Sequence, residues 1–227
     1  MSRIALNASF ALLLSCTLAG CVSTKTVAVD RGVLAGFHGA TIAASQREKP
    51  AFAANTAGKV MFGAIGAVAA ISSGNAIVRD NEVPDPAVHI REALLTDLLR
   101  DEGLTKVDIS ATTNTMDVAQ LAKQYSNADL VLDIQTINWS FWYFPTDFSH
   151  YKVMYSAKLR LIDTKHSKLI ADSFCARVPE KTPDAPTRAE LLDDHAAGLK
   201  KQLAIAAEYC VNEFRSKALL ESVVAAR

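Results

Sequence analysis

The chain has no run of lysine or arginine, and its charges cancel, with 24 basic residues against 24 acidic ones. A surface that tracks phosphates needs clustered cations, so no nucleic acid is expected as a partner. The five histidines (His38, His89, His150, His166 and His195) fall at no metal-ligand spacing, so no metal site is expected, and no cofactor either. No Gly-x-Ser-x-Gly elbow, P-loop or Gly-x-Gly-x-x-Gly fingerprint occurs. Asp193-Asp194-His195 is the nearest approach to an acid–base cluster. Adjacent helix positions point in different directions, however, so a solvated first turn is the simpler reading. No catalytic residue is assigned. Carboxylate chemistry leaves little trace in one sequence, which keeps an enzyme or ligand-binding protein open as an alternative.

What is present begins at the N-terminus. Met1-Ser2-Arg3 is a short positive region, Ile4 to Leu14 is apolar but for Asn7, and Ser15 to Gly20 is a run of mostly small residues. A spanning helix needs roughly 20 apolar residues, and this stretch is too short. Leu18-Ala19-Gly20-Cys21 resembles the lipobox of bacterial lipoproteins. That resemblance implies that residues 1–20 are cleaved as a signal peptide, that the Cys21 thiol carries a diacylglycerol, and that its new amine is acylated, typically with palmitate. Val22 and Ser23 follow in place of the aspartate that marks inner-membrane retention, which implies the outer membrane. Two or three acyl chains hold a protein stably on a bilayer where one does so only marginally.

With Cys16 lost and Cys21 lipidated, Cys175 and Cys210 remain, in an oxidising compartment. Their spacing fits no zinc motif. They are either a disulfide or two buried thiols, and the compartment favours the disulfide.

Half of the residues are apolar, as a folded domain requires. Residues 21–56 are expected to be a tether with one entry strand, Thr26–Val29, followed by a long surface segment. Residues 57–82 form an Ala/Gly-rich apolar segment without charge from Val60 to Val78. As a helix this stretch would reach about 28 Å, yet Ser72-Ser73-Gly74-Asn75 interrupts its apolar part. A helix packed on the domain or on a partner, a membrane-inserted segment and a mobile loop all remain open for it.

Residues 83–220 carry the clearest pattern. Asp85-Pro86 opens a helix with Ala87, Ile90, Leu94 and Leu98 on one face, closed by Gly103. Lys106–Ile109 predicts a short strand, and Thr115 starts a second helix through Val118, Leu121, Ala122 and Tyr125. Leu130–Phe144 is the strongest strand. Its parity slips between Ile134 and Ile137, which points to a bulge near Thr136 or to an outer half that leaves the core. Residues from Tyr151 to Leu161 and from Leu169 to Val178 complete an antiparallel meander. Thr187-Arg188-Ala189-Glu190 is a capping box, and Leu192, Ala196, Leu199, Leu203, Ala206, Cys210 and Phe214 mark one long C-terminal helix. The expected fold is α/β (α+β): an antiparallel-rich mixed sheet with a three-strand meander and two or three helices packed on it.

Leu159-Arg160-Leu161-Ile162-Asp163-Thr164 followed by Lys168-Leu169-Ile170-Ala171-Asp172-Ser173 resembles a hairpin of periplasmic α/β proteins. These are the curli-secretion lipoprotein, the lipoprotein activators of peptidoglycan synthases and the N-terminal domain of the Tol translocation protein. The resemblance implies an accessory role in the envelope.

Trp139, Phe141, Trp142, Tyr143, Phe144, Phe148, Tyr151 and Tyr155 concentrate half of the chain's aromatics in residues 139–155. One sheet–helix layer cannot bury both faces of that strand end, so the second face calls for a cover: the Gly-rich helix, a partner or lipid. The candidate interaction surface is therefore Trp139, Trp142, Phe144 and Phe148, with Phe62, Gly63 and Gly66 of the Gly-rich segment. The expected function is that of a lipid-anchored, non-enzymatic module at the periplasmic face of the outer membrane, binding another envelope protein or a second copy of itself. The main alternative is a pore or secretion component that inserts the Gly-rich segment.

Overall fold

A computed structural model describes residues 26–219. The chain runs through α1 (Arg31–Ala35), β1 (Thr41–Ala44), β2 (Gln46–Arg47), β3 (Ala53–Asn55), α2 (Ala57–Val60), α3 (Gly63–Asp80) and α4 (Pro86–Asp101). It continues through β4 (Thr105–Lys106), β5 (Thr112–Thr113), α5 (Val118–Gln124), β6 (Leu130–Phe144), β7 (Asp147–Asp163), β8 (Lys168–Arg177) and α6 (Arg188–Phe214), and a π-helical turn spans Arg215–Leu219. The main sheet has the order β4-β1-β6-β7-β8, with β3 also paired to β6, and β2 pairs separately with β5. β6, β7 and β8 are antiparallel, whereas β1 and β3 join β6 in parallel. The architecture is the expected mixed α/β one.

Local chemistry fixes the helix starts. The Asp85 carboxylate accepts the Ala87 amide with Pro86 at the first helical position, and Thr187 with Glu190 forms a reciprocal capping box. α5 starts at Asp117, whose side chain accepts the Gln120 amide, two residues after the expected Thr115. The register of β6 against β7 shifts between Thr136 and Asn138. That bulge reconciles the two parities of β6: Leu130, Leu132 and Ile134 before it and Trp139 and Phe141 after it all enter one core. α4 and α6 cover this face, while α5 closes the other with Leu121, Ala122 and Tyr125 against Ala43, Val131 and Ile162. Thr164, from the Asp-Thr pair at the end of β7, donates its hydroxyl to the Ala128 and Asp129 carbonyls and so locks the β7–β8 turn to the start of β6.

Three expectations are corrected. The stretch after Val29 is not a surface segment: it holds β1, β2 and β3, and Ile42, Ala43 and Phe52 are fully buried. These strands were hidden because they are short and rich in alanine, a poor β former. Thr26–Val29 forms only a single bridge, Val27 to Asp172, and the Lys106–Ile109 strand shrinks to Thr105–Lys106, with Val107 and Ile109 packed on the second core. The long C-terminal helix is present as expected and carries a kink, where Asp194, His195 and Ala196 all take left-handed backbone angles. Its first turn is tied to the meander by a His150–Thr187 bridge and by the Tyr151 amide donating to Pro186. The kink lets that turn and the rest of α6 point differently, and Gly198 lies so near the Glu190 carbonyl that a Cβ there would come within 2.1 Å of it.

The predicted pair Cys175 and Cys210 is a disulfide that joins β8 to α6 across 35 residues.

Candidate functional site

The Gly-rich segment is the feature that the fold leaves most open. α2 and α3 form a helical hairpin on β3. Gly74 lies against the Phe52 backbone, where a Cβ would come within 2.1 Å of the carbonyl oxygen, and a Cβ at Gly66 would collide with the Lys59 carbonyl. These two glycines permit helix–backbone contact that no side chain allows. The Phe52 amide donates to the Asn75 side chain, and the Lys59 ammonium donates to the Ala54 carbonyl and the Ser73 hydroxyl. Burial, with Arg188 nearby, lowers the Lys59 pKa. The hairpin is thus fixed on its inner side by Gly66, Ala70, Gly74 and Val78.

Its outer side is apolar and open. Met61 is 86 % exposed, Phe62 72 %, Ile65 79 % and Val68 69 %, with Ile71 beside them. Ile65 and Val68, three residues apart, are neighbours on the outer face of α3, with Met61 and Phe62 in the turn that leads into it and Ile71 at the edge of that face. Single exposed apolar residues are ordinary, whereas large contiguous exposed apolar patches are uncommon on monomeric soluble proteins. Among the described residues no helix is long and apolar enough to cross a membrane.

The aromatic hairpin divides differently from expectation. Trp139 and Phe144 are buried, so neither offers a contact surface in this fold. Trp139 donates its indole N–H to the Pro50 and Ala51 carbonyls, and Phe52 meets the rings of Trp139 and Phe141 edge-on. The cover for these rings is therefore the chain's own residues 50–52. Phe144 lies under the Lys152 ammonium at 5.6 Å. Trp142 is half-buried, and Phe148 is exposed with its ring edge-on to Tyr143. Of the expected surface, Phe62, Gly63, Trp142 and Phe148 remain accessible, Gly66 is a packing position, and Cys21 lies outside the described residues.

Two buried polar clusters went unnoticed in the sequence. On the α5 side of the sheet, Asp133 accepts hydrogen bonds from Arg47 at 2.7 Å, from Arg160 at 2.6 Å and from the Ser45 hydroxyl. Burial alone would raise its pKa, but the two guanidinium groups and Ser45 outweigh it and hold the carboxyl below its ordinary range. The same arginines donate to the Thr115 and Met116 carbonyls, so the cluster clamps the start of α5 to β6. Ser45, Arg47 and Arg160 are thus all engaged in structure. The second cluster is Asp85, Thr136 and Tyr155, in which the Thr136 hydroxyl donates to the Asp85 carboxylate and lies 3.0 Å from the Tyr155 oxygen. Here desolvation wins, and both the Asp85 carboxyl and the Tyr155 phenol are pushed up. Only the Thr-Ile parity slip hinted at this second cluster, and nothing local hinted at the first.

Among the described residues no three His, Cys, Asp or Glu side chains converge as metal ligands. Asp193, Asp194 and His195 occupy the kink of α6 rather than a regular first turn.

No family model and no curated protein matches the chain. Solved structures do. The hypothetical protein CT253 from Chlamydia trachomatis aligns with a TM-score of 0.38 and 10 % identity, over 78 % of this chain and 94 % of that one. The PelC dodecamer from Paraburkholderia phytofirmans aligns with a TM-score of 0.35 and 12 % identity, over 86 % and 96 %. Lipoprotein GNA1162 from Neisseria meningitidis aligns with a TM-score of 0.28 and 16 % identity, over 78 % and 99 %. Lipoproteins are thus among the structural neighbours, at a distance that carries no argument about activity or partners.

Proposed function

We propose that this chain is a lipid-anchored accessory protein of the bacterial outer membrane that acts by binding another protein rather than by catalysis. One observation carries the binding role: α3, without charge up to Val78 and held rigidly by glycine contacts and a pinned lysine, keeps Ile65 and Val68 in solvent beside Met61 and Phe62 of the turn before it. A monomer gains nothing from that exposure, because burying such side chains is worth about 1.5–3 kcal/mol each. The Leu18–Cys21 lipobox supports the location. The Asp133 cluster supplies no competing chemistry, since Asp133 and both its arginines are engaged in bracing β6 and the start of α5.

The location is tested by labelling the bacterial host with radioactive palmitate. Label on the native chain, and its loss with release from the membrane in Cys21→Ser, is the expected result. An unlabelled native chain would remove the anchor. The binding role is tested by Phe62→Asp, which should leave the thermal midpoint unchanged and lose protein crosslinks made in intact envelopes. Unchanged crosslinks would remove α3 as the docking element.

A further inference from the structure

Two apolar features of opposite shape are left over by the fold. The convex one is the outer flank of α3 described above. The concave one is a groove of about 600 Å³ between the first half of α4 and the middle of α6, lined by Pro84, Val88, Leu203, Ala204, Ile205 and Ala207. Charged side chains reach it from Asp85, Glu92, Lys200, Lys201 and the His89–Glu208 pair, which bring both signs to the groove. No residue of α3 lines it, so a chain's own helix does not fill its own groove.

We propose that α3 of one chain seats in the α4–α6 groove of a second copy. The inference rests on the reading of α3 as a docking element and names what it docks to. Three observations select a second copy. First, the area suffices: Met61, Phe62, Ile65, Val68 and Ile71 together expose on the order of 600–700 Å². This exceeds the largest patch of most monomers and approaches the ~800 Å² that each partner contributes to a stable interface. Second, the shapes match. The groove's volume lies within the roughly 300–1,000 Å³ of sites that engulf apolar groups, and Phe62 with its neighbours is such a group. Third, no charge on the flank opposes the contact: from Val60 to Val78 the helix has none, so entering the groove desolvates no ion of its own.

Flank and groove lie on different elements, so the contact is heterologous. Each chain then has one of each free, and the assembly grows head to tail into a ring or an open filament instead of stopping at a two-fold dimer.

The test places the photo-crosslinking residue p-benzoylphenylalanine at position Ile65 of the full chain and irradiates intact envelopes. The expected product is a ladder of multiples of the chain mass whose crosslinked peptides pair position 65 with residues 84–92 or 200–208. Ala204→Glu in the same chain should abolish the ladder and leave the thermal midpoint within the range of a surface substitution. A single dimer band joining position 65 to α3 of the second copy would overturn the proposal in favour of a two-fold contact. Adducts to a different protein alone would overturn the second copy as occupant while leaving α3 a docking element. Adducts to lipid alone, or none, would overturn both.

Discussion

Asp133 shows what a carboxylate needs in order to sit wholly buried on a sheet face. Its two oxygens receive Arg47, Arg160 and Ser45, and the gain must exceed the cost of taking three charges out of water. Removing the centre strands two guanidinium groups, so Asp133→Ala should cost about 3–5 kcal/mol in urea unfolding. A loss below about 1 kcal/mol would mean that the cluster is hydrated. Its pH dependence has a definite sign: the folded pKa is depressed, so the stabilisation is complete above the ordinary carboxylate value and is lost as pH falls through the folded one. Asp85 has the opposite sign. Burial raises its folded pKa, so its charge opposes folding at neutral pH, and stability recovers as pH falls through the raised value towards the ordinary one. Asparagine caps a helix as well as aspartate does. Asp85→Asn should therefore be at least as stable as the native chain at pH 7, with the advantage shrinking on acidification. A constant difference between the two denaturation curves from pH 7 to pH 4 would refute the assignment.

At the scale of elements, α3 is decided by two contacts with backbone rather than by helix propensity. Gly74→Ala places a methyl group against the Phe52 carbonyl, which cannot move without shifting β3, and should destabilise by about 1–3 kcal/mol. Gly58→Ala meets nothing within 4 Å in a helical turn and should be neutral or stabilising by up to about 1 kcal/mol. Equal urea midpoints for the two variants would show that α3 is not seated on β3. The same contrast explains what could be read from residues alone. α4, the meander, the bulge at Thr136 and the capping box at Thr187 are written in local signals: an N-cap with proline, alternation, a parity slip, a reciprocal Thr/Glu pair. β1 and β3 are not, because they are brief alanine-rich strands whose place depends on β6, more than eighty residues later. The kink in α6 is likewise invisible to a periodicity that runs through it, and the aromatic cluster gave no sign that residues 50–52 would cover it. Phe62 was legible as a surface because charge was absent around it. Trp139 was misplaced because its cover lies far upstream.

At the scale of the molecule, the sheet is closed by helices that come from distant parts of the chain, and among the described residues one disulfide joins those parts. Cys175 in β8 and Cys210 in α6 bind the last helix over the core that also holds α4. Without the bridge α6 would still bury Leu199, Leu203, Ala206, Val211 and Phe214, so the fold should survive its removal while losing the constraint on the unfolded chain. For a separation of 35 residues that constraint is worth roughly 3–4 kcal/mol on the loop-entropy estimate. In a chain of this size each kcal/mol shifts the midpoint by about 2–4 °C. The double variant Cys175→Ala/Cys210→Ala should therefore melt roughly 6–16 °C lower than the oxidised protein, as one cooperative transition. Reductant should lower the native midpoint to a similar degree and leave the variant unmoved. Two separated transitions in the variant would show that α6 docks only because it is tied, and the α4–α6 groove would then depend on the bridge for its shape.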